Sequence, residues 1–164
     1  WRVTLVDTGN KTMTGGRLKR VESYIKNEES FCFTYGDGVG NINITDSIKF
    51  HLNHGKSATM TATYAPGRFG ALDIENHVVK NFHEKPKGDG AMINGGFFIL
   101  NQNVFKYIDG DGTLWEEEPL SNLAKDKELM AYEHKDFWQP MDTLRDKSIL
   151  EELWQSNKAP WKIW

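Results

Sequence analysis

The sequence predicts an α/β domain, and three observations predict it. Over residues 3–64, β-patterned and helix-patterned runs alternate as strand, helix, strand, helix, strand. That order layers helices on a sheet with parallel strands. The 164 residues are 38% hydrophobic and 12% aromatic, enough apolar material to bury a domain core. No repeat, low-complexity tract or linker interrupts the chain, so 1–164 reads as a single domain.

The elements follow in order. VTLVD (3–7) reads as a short strand. In TGGRLKRVESYIKN (14–27), Leu18, Val21 and Ile25 recur at helical spacing, with Thr14 as a candidate N-cap. FCFTYGD (31–37) is a strand that stops at Asp37, an acid set between two glycines. Thr45-Asp46 can cap a helix with Ile48 and Leu52 on one face, ending at His54-Gly55. SATMTATY (57–64) alternates and reads as a strand. Beyond it, LDIE (72–75) and VVKNFHEK (78–85) form a hairpin turning at Glu75-Asn76-His77. MINGGFFIL (92–100) is a strong strand. Helices are expected over 103–108 and 118–127, a strand over 128–134, and a last helix over 144–155 with Leu150, Leu153 and Trp154 as apolar positions. The aromatic ending KAPWKIW is expected to pack against something.

Bulk properties exclude several roles. A net charge of −3 and a pI near 6.0 give no footing for nucleic-acid or anionic-membrane binding, while a few local cations could still hold an anionic small molecule. No signal peptide is visible, and no apolar run approaches the ~18 residues of a membrane span. A single cysteine, Cys32, reads as a small buried strand residue in a reducing compartment, which points to the cytoplasm. The glycosylation patterns at Asn10 and Asn43 read as chance. The chain opens in mid-strand without methionine, the expectation being a later part of a longer protein, a cleaved product or a truncated form.

Several stretches carry candidate chemistry. TGGR opening a helix is either a tight loop-to-helix turn or an anion cradle, where two glycines admit a ligand and Arg17 adds a bidentate charge. DGDG (109–112) imitates a calcium loop but fails at its later positions, leaving an exposed turn. The five histidines have no metal-ligand spacing, although His51 and His54 lie three apart on one helix. No serine or cysteine nucleophile is set up. Glu84-Lys85-Pro86 ends a strand, because Pro86 cannot continue it, and this puts Lys85 at a sheet rim. In WQPMDT, Asp142 stands just before the last helix as either an N-cap or a ligand.

Taken in order, VTLVDTG, TGGR, FTYGDGV, GRFGALDI, EKPKGDGAMINGGFFIL, WQPMDT and RDK closely resemble the sugar-1-phosphate nucleotidyltransferases over almost the whole chain. The resemblance implies a Rossmann-like mixed-sheet core with a sugar-binding β insert, present here as the C-terminal two-thirds. Within the family the likeness is to members joining CTP and α-D-glucose 1-phosphate into CDP-glucose and pyrophosphate, an entry to the dideoxysugars of surface polysaccharide such as lipopolysaccharide O-antigen. It implies Asp37 and Asp142 as the carboxylates holding Mg²⁺, and Lys85 as the clamp on the sugar phosphate. Glu84, Gly70, Asn94 and Gly95 fall on the sugar side. Thr12, Gly15, Gly16, Arg17 and Gly36 fall on the nucleotide side, with Arg17 the candidate contact specific to CTP. Family analogy also favours a homo-oligomer.

Two parts of the family pattern do not occur in the chain, the glycine-rich GGxGTR loop and a KP segment with a second lysine. The expectation is therefore that the 164-residue chain alone is inactive and is completed by an N-terminal segment. The alternatives are a dTTP- or UTP-using nucleotidyltransferase and a non-catalytic sugar-phosphate-binding domain.

Overall fold

The computed structural model describes residues 2–67, 71–83 and 91–163. Helix α1 spans Thr14–Arg20 and α2 spans Glu22–Ile25, followed by strands β1 (Ser30–Thr34) and β2 (Gly38–Gly40) and helix α3 (Ile44–His54). Strand β3 is Ala58–Thr63, β4 is Ala71–Glu75, β5 is Val78–His83 and β6 is Ile93–Asn101. A 3-10 turn over Gln102–Tyr107 leads to α4 (Glu118–Lys125), β7 (Leu129–His134), β8 (Trp138–Pro140) and α5 (Leu144–Gln155). Four strands pair in the order β1-β6-β3-β7, while β2 pairs with β8 and β4 with β5. The result is the mixed-sheet α/β class that the sequence predicts.

The backbone divides into two compact units, each assembled from three stretches of chain. The first comprises 1–33, 45–60 and 98–131. Its core holds Phe98, Ile99, Leu100, Val104, Ile108, Trp115 and Leu123, all at most 2% exposed. Phe33 and Phe98 both meet Trp115 edge-on, at 6.0 and 5.8 Å between ring centres. Each such side chain contributes on the order of 1.5–3 kcal/mol by leaving water, and edge-to-face pairing adds to that. β1 stands at the end of the strand order, where Phe31 and Phe33 are half-buried. Alternation along the strand then leaves Cys32 exposed, which corrects the expectation that it is buried.

Other corrections concern local pairing. VTLVD forms no strand: Val3 and Leu5 are 74% and 93% exposed, and no described strand lies alongside to supply hydrogen bonds. Thr14 is not the N-cap of α1. That position is Met13, which makes no side-chain cap, because the Thr14 hydroxyl is used at long range: it accepts from the Trp115 N–H and donates to Glu116. The expected helix 14–27 breaks at Val21. On α3 the buried positions are Ser47 and His51, while Leu52 is 56% exposed. The helix ends as expected at Gly55, whose φ of +64° suits a residue without a Cβ.

The second unit comprises 34–44, 61–97 and 132–164. Its β4–β5 hairpin turns at Asn76 and His77, both with positive φ, where the sequence places the turn. β8 was hidden in the sequence by its three-residue length and its proline. Helix α5 has the predicted bounds. Its N-cap is Thr143, in a reciprocal capping box with Asp146; the cap alternative for Asp142 is thereby removed. The tail packs as expected: Ala159 is buried, Trp161 stacks on Phe137 at 5.4 Å, and the Lys162 ammonium lies over the Trp154 ring.

Candidate active site

The predicted carboxylates Asp37 and Asp142 both belong to the second unit, beside one end of the β2–β8 ladder. The register pairs Gly38 with Pro140, Val39 with Gln139 and Gly40 with Trp138. One step beyond the first pair, the Met141 N–H donates to the Asp37 carbonyl at 2.8 Å. Asp37 and Asp142 therefore flank the same ladder end despite their distance in sequence, and both are exposed. Asp37 also does not end β1, as the sequence suggested: β1 stops at Thr34, and Asp37 introduces β2. The change of sheet causes this, since β2 pairs with β8 and not with the four-stranded sheet.

Neighbouring residues fix this ladder. The Trp138 indole N–H donates to the Gly95 carbonyl at 2.9 Å. Tyr35 N–H donates to the Gly96 carbonyl, and Gly96 N–H donates to the Asn94 side-chain oxygen at 2.8 Å. Gly96 adopts φ +74°, and a Cβ there would lie 2.8 Å from the Tyr35 ring, so only glycine fits. Gly95 is thus tied to β8 through its carbonyl, while the Asn94 side chain braces Gly96. Gly36 differs: a Cβ would meet nothing within 4 Å, so the backbone beside Asp37 is open to approach. Two exposed carboxylates whose backbones flank one ladder end are oxygen donors of the type a hard divalent cation takes, with substrate and water filling its remaining positions. Among the described residues no group of three or more His, Cys, Asp or Glu could hold a metal ion.

Thr12, Gly15, Gly16 and Arg17, which the resemblance places on the nucleotide side, belong to the first unit and have a different character. Thr12, Gly15 and Gly16 are buried and Arg17 is exposed. The N–H groups of Gly15 and Gly16 both donate to the Thr113 carbonyl, at 3.0 and 3.2 Å. A Cβ on Gly16 would lie 2.6 Å from the Asp111 backbone. The tight-turn alternative accounts for both glycines, since their amides are already engaged. Arg17 donates to the Thr8 hydroxyl at 2.7 Å. Arg20 forks onto Asp111; that hydrogen bond holds the Asp111 carboxyl below its usual range. Gly70, Glu84 and Lys85 lie outside the described residues.

Two buried polar residues near Asp142 were missed by sequence reasoning, Gln139 and Asp146, at 8% and 5% exposure. The Thr-x-x-Asp spacing of 143–146 is a capping-box signal and could have found the second. No periodicity marks the first. Both line a cleft of about 260 Å³ with Pro66, Gly67, Thr143 and Arg145.

The chain belongs to the nucleotidyl transferase family, whose model matches residues 8–153. It is 65% identical over 164 residues to glucose-1-phosphate cytidylyltransferase of Salmonella typhi, covering all of this chain and 64% of that protein. It is 42% identical over 165 residues to a probable glucose-1-phosphate cytidylyltransferase of Bacillus subtilis, with the same coverage. The chain thus spans about two-thirds of the length of these curated relatives. HddC from Yersinia pseudotuberculosis shares the fold, with a TM-score of 0.65 at 21% identity over 89% of this chain and 64% of that one. No described helix is long and apolar enough to cross a membrane.

Proposed function

We propose that the protein carrying this chain transfers a cytidylyl group from CTP to α-D-glucose 1-phosphate, giving CDP-glucose and pyrophosphate. The observation that carries the reading is the 65% identity to a glucose-1-phosphate cytidylyltransferase over the whole chain; the placement of Asp37 and Asp142 beside one ladder end supports it. A phosphate oxygen of the sugar attacks the α-phosphorus in line; the new P–O bond forms as the bond to pyrophosphate breaks. No protein nucleophile is required. Asp37 and Asp142 would hold Mg²⁺, which when bound offsets the repulsion of the two anions and neutralises charge on the phosphoryl oxygens. Lys85 is proposed as a point-charge clamp on the sugar phosphate, Glu84 as an acceptor for sugar hydroxyls and Arg17 as a contact to CTP. Gly36 leaves room for the nucleotide. Gly70, Asn94 and Gly95 are proposed for the sugar side, and Thr12, Gly15 and Gly16 for the base of the nucleotide side.

A glycine-rich segment gripping the triphosphate would complete this machinery, consistent with the chain's coverage of 64% of its relatives. Cytoplasmic location and a homo-oligomeric state belong to the same reading. Turnover of CTP, dTTP and UTP with glucose 1-phosphate tests it in the full-length protein, with the 164-residue chain assayed beside it. Preference for CTP in the full-length protein and no turnover by the chain alone are expected. A preference for dTTP or UTP would reassign the nucleotide. Metal-independent binding of sugar phosphate without turnover would favour a non-catalytic domain.

A further inference from the structure

We propose that Gln139 and Asp146 are positioning residues for Asp142. The inference rests on the reading of Asp37 and Asp142 as a shared metal-binding pair. Asp142 lies on a two-residue link between β8 and the Thr143 cap of α5, and its placement depends on how those two elements are joined. Gln139, in the middle of β8, donates through Nε2 to Asp146 Oδ1 at 2.9 Å. The other carboxylate oxygen of Asp146 accepts from the Thr143 N–H at 3.1 Å and from its hydroxyl at 2.8 Å. In return, the Asp146 N–H donates to the Thr143 hydroxyl at 3.2 Å. One buried carboxylate therefore bonds to the residues on both sides of the link, staple-fashion.

Ordinary helix capping does not account for all of this. A capping box needs one carboxylate oxygen and the cap residue; the bond to Gln139 reaches outside the helix into the strand. Burying a carboxylate is unfavourable unless its oxygens are well hydrogen-bonded, so its presence calls for a reason beyond the cap. Trp138 of β8 is also tied to Gly95, and Met141, just past the strand, to Asp37. Fixing the strand to α5 then leaves Asp142 little freedom relative to Asp37. Such supporting hydrogen bonds orient metal ligands, and their loss weakens metal affinity roughly 10- to 100-fold.

The test is Mn²⁺ binding in the presence of CTP, followed by electron paramagnetic resonance in the full-length protein. Gln139→Met keeps the size and removes the donor; Thr143→Val removes the hydroxyl and Thr143→Ser restores it. Circular dichroism and a melting curve accompany each variant. Positioning predicts that Gln139→Met and Thr143→Val retain the fold yet bind Mn²⁺ roughly 10-fold or more weakly, with Thr143→Ser near wild type. Variants that melt earlier but bind Mn²⁺ within about twofold of wild type would reduce the staple to a structural element and overturn the proposal. Asp142→Asn is the control for the underlying reading: if it too binds like wild type, the metal assignment fails before the staple is judged.

Discussion

The two units use glycine in opposite ways. In the first, Gly15 and Gly16 open α1 because the backbone of residues 111–113 packs against them; a Cβ on Gly16 would fall 2.6 Å from Asp111. In the second, Gly36 stands where a Cβ would meet nothing. In a sequence both look like ligand loops. The difference lies in whether the vacated volume is filled by the protein itself or left for something else. Open space alone does not mark a site, since Gly110 and Gly112 share it. At Gly36 the added observation is the neighbouring pair of carboxylates.

The largest effect that would sharpen this contrast is expected at the carboxylates. Asp37→Asn and Asp142→Asn should each lower turnover roughly 100-fold or more, the scale of losing an electrostatic contribution at the reacting phosphorus, without changing the melting temperature appreciably. Steady-state kinetics beside a melting curve separates these outcomes; equal loss of fold and activity would break the contrast.

Next in size is the glycine exchange itself. Gly16→Ala should destabilise by about 1–3 kcal/mol through overpacking, read as a lower denaturant midpoint. Gly36→Ala should stay within about 0.5 kcal/mol of wild type while raising KM for CTP. The reverse pattern would mean that the glycines have been assigned to the wrong roles.

A third test uses a buried histidine of the first unit. Lys56 N–H donates to His54 Nδ1 at 2.9 Å, so neutral His54 carries its proton on Nε2 and donates it to Thr59 Oγ1 at 2.7 Å. The Thr59 hydroxyl can then donate to His51 Nδ1 at 2.8 Å. Burial first, and His54 second, push the His51 pKa down to about 4. The His54 pKa is itself lowered, by burial first and by the Lys56 charge second, with Glu128 opposing. The unfolded chain, with an ordinary histidine near 6.5, binds more protons than the folded one between pH 6.5 and 4. Stability from this group is present above pH 6.5 and is lost as pH falls toward 4, by on the order of 1–3 kcal/mol. His51→Gln should flatten that part of the stability–pH curve; an unchanged slope would refute the assignment.

The smallest effect is expected for Arg17→Ala. It should leave stability within about 0.5 kcal/mol, as for an exposed position, and reduce the preference for CTP over UTP. Competition between the two nucleotides reads this directly.

What the sequence made legible follows from local physics. Helix α5 and the β4–β5 hairpin carry their own signals, an apolar period with a Thr-x-x-Asp cap in one and Asn76-His77 in the other, and both appear where expected. VTLVD carries a strand signal but finds no partner strand among the described residues, and pairing is not a local property. β8 is too short, and interrupted by Pro140, to show any period. The buried Gln139–Asp146 bond joins two polar residues that a pattern would place on the surface. Of the candidate site, Asp37 and Asp142 stand out in the sequence as residue types, but the β2–β8 register that sets both beside one ladder end does not.

A double-mutant cycle on Mn²⁺–CTP affinity tests the central claim most directly. If Asp37 and Asp142 hold one ion, each single Asn variant should lose most of the binding and the double variant little more than either, giving a large coupling energy. Independent, additive losses, or wild-type affinity in either single variant, would contradict a shared site.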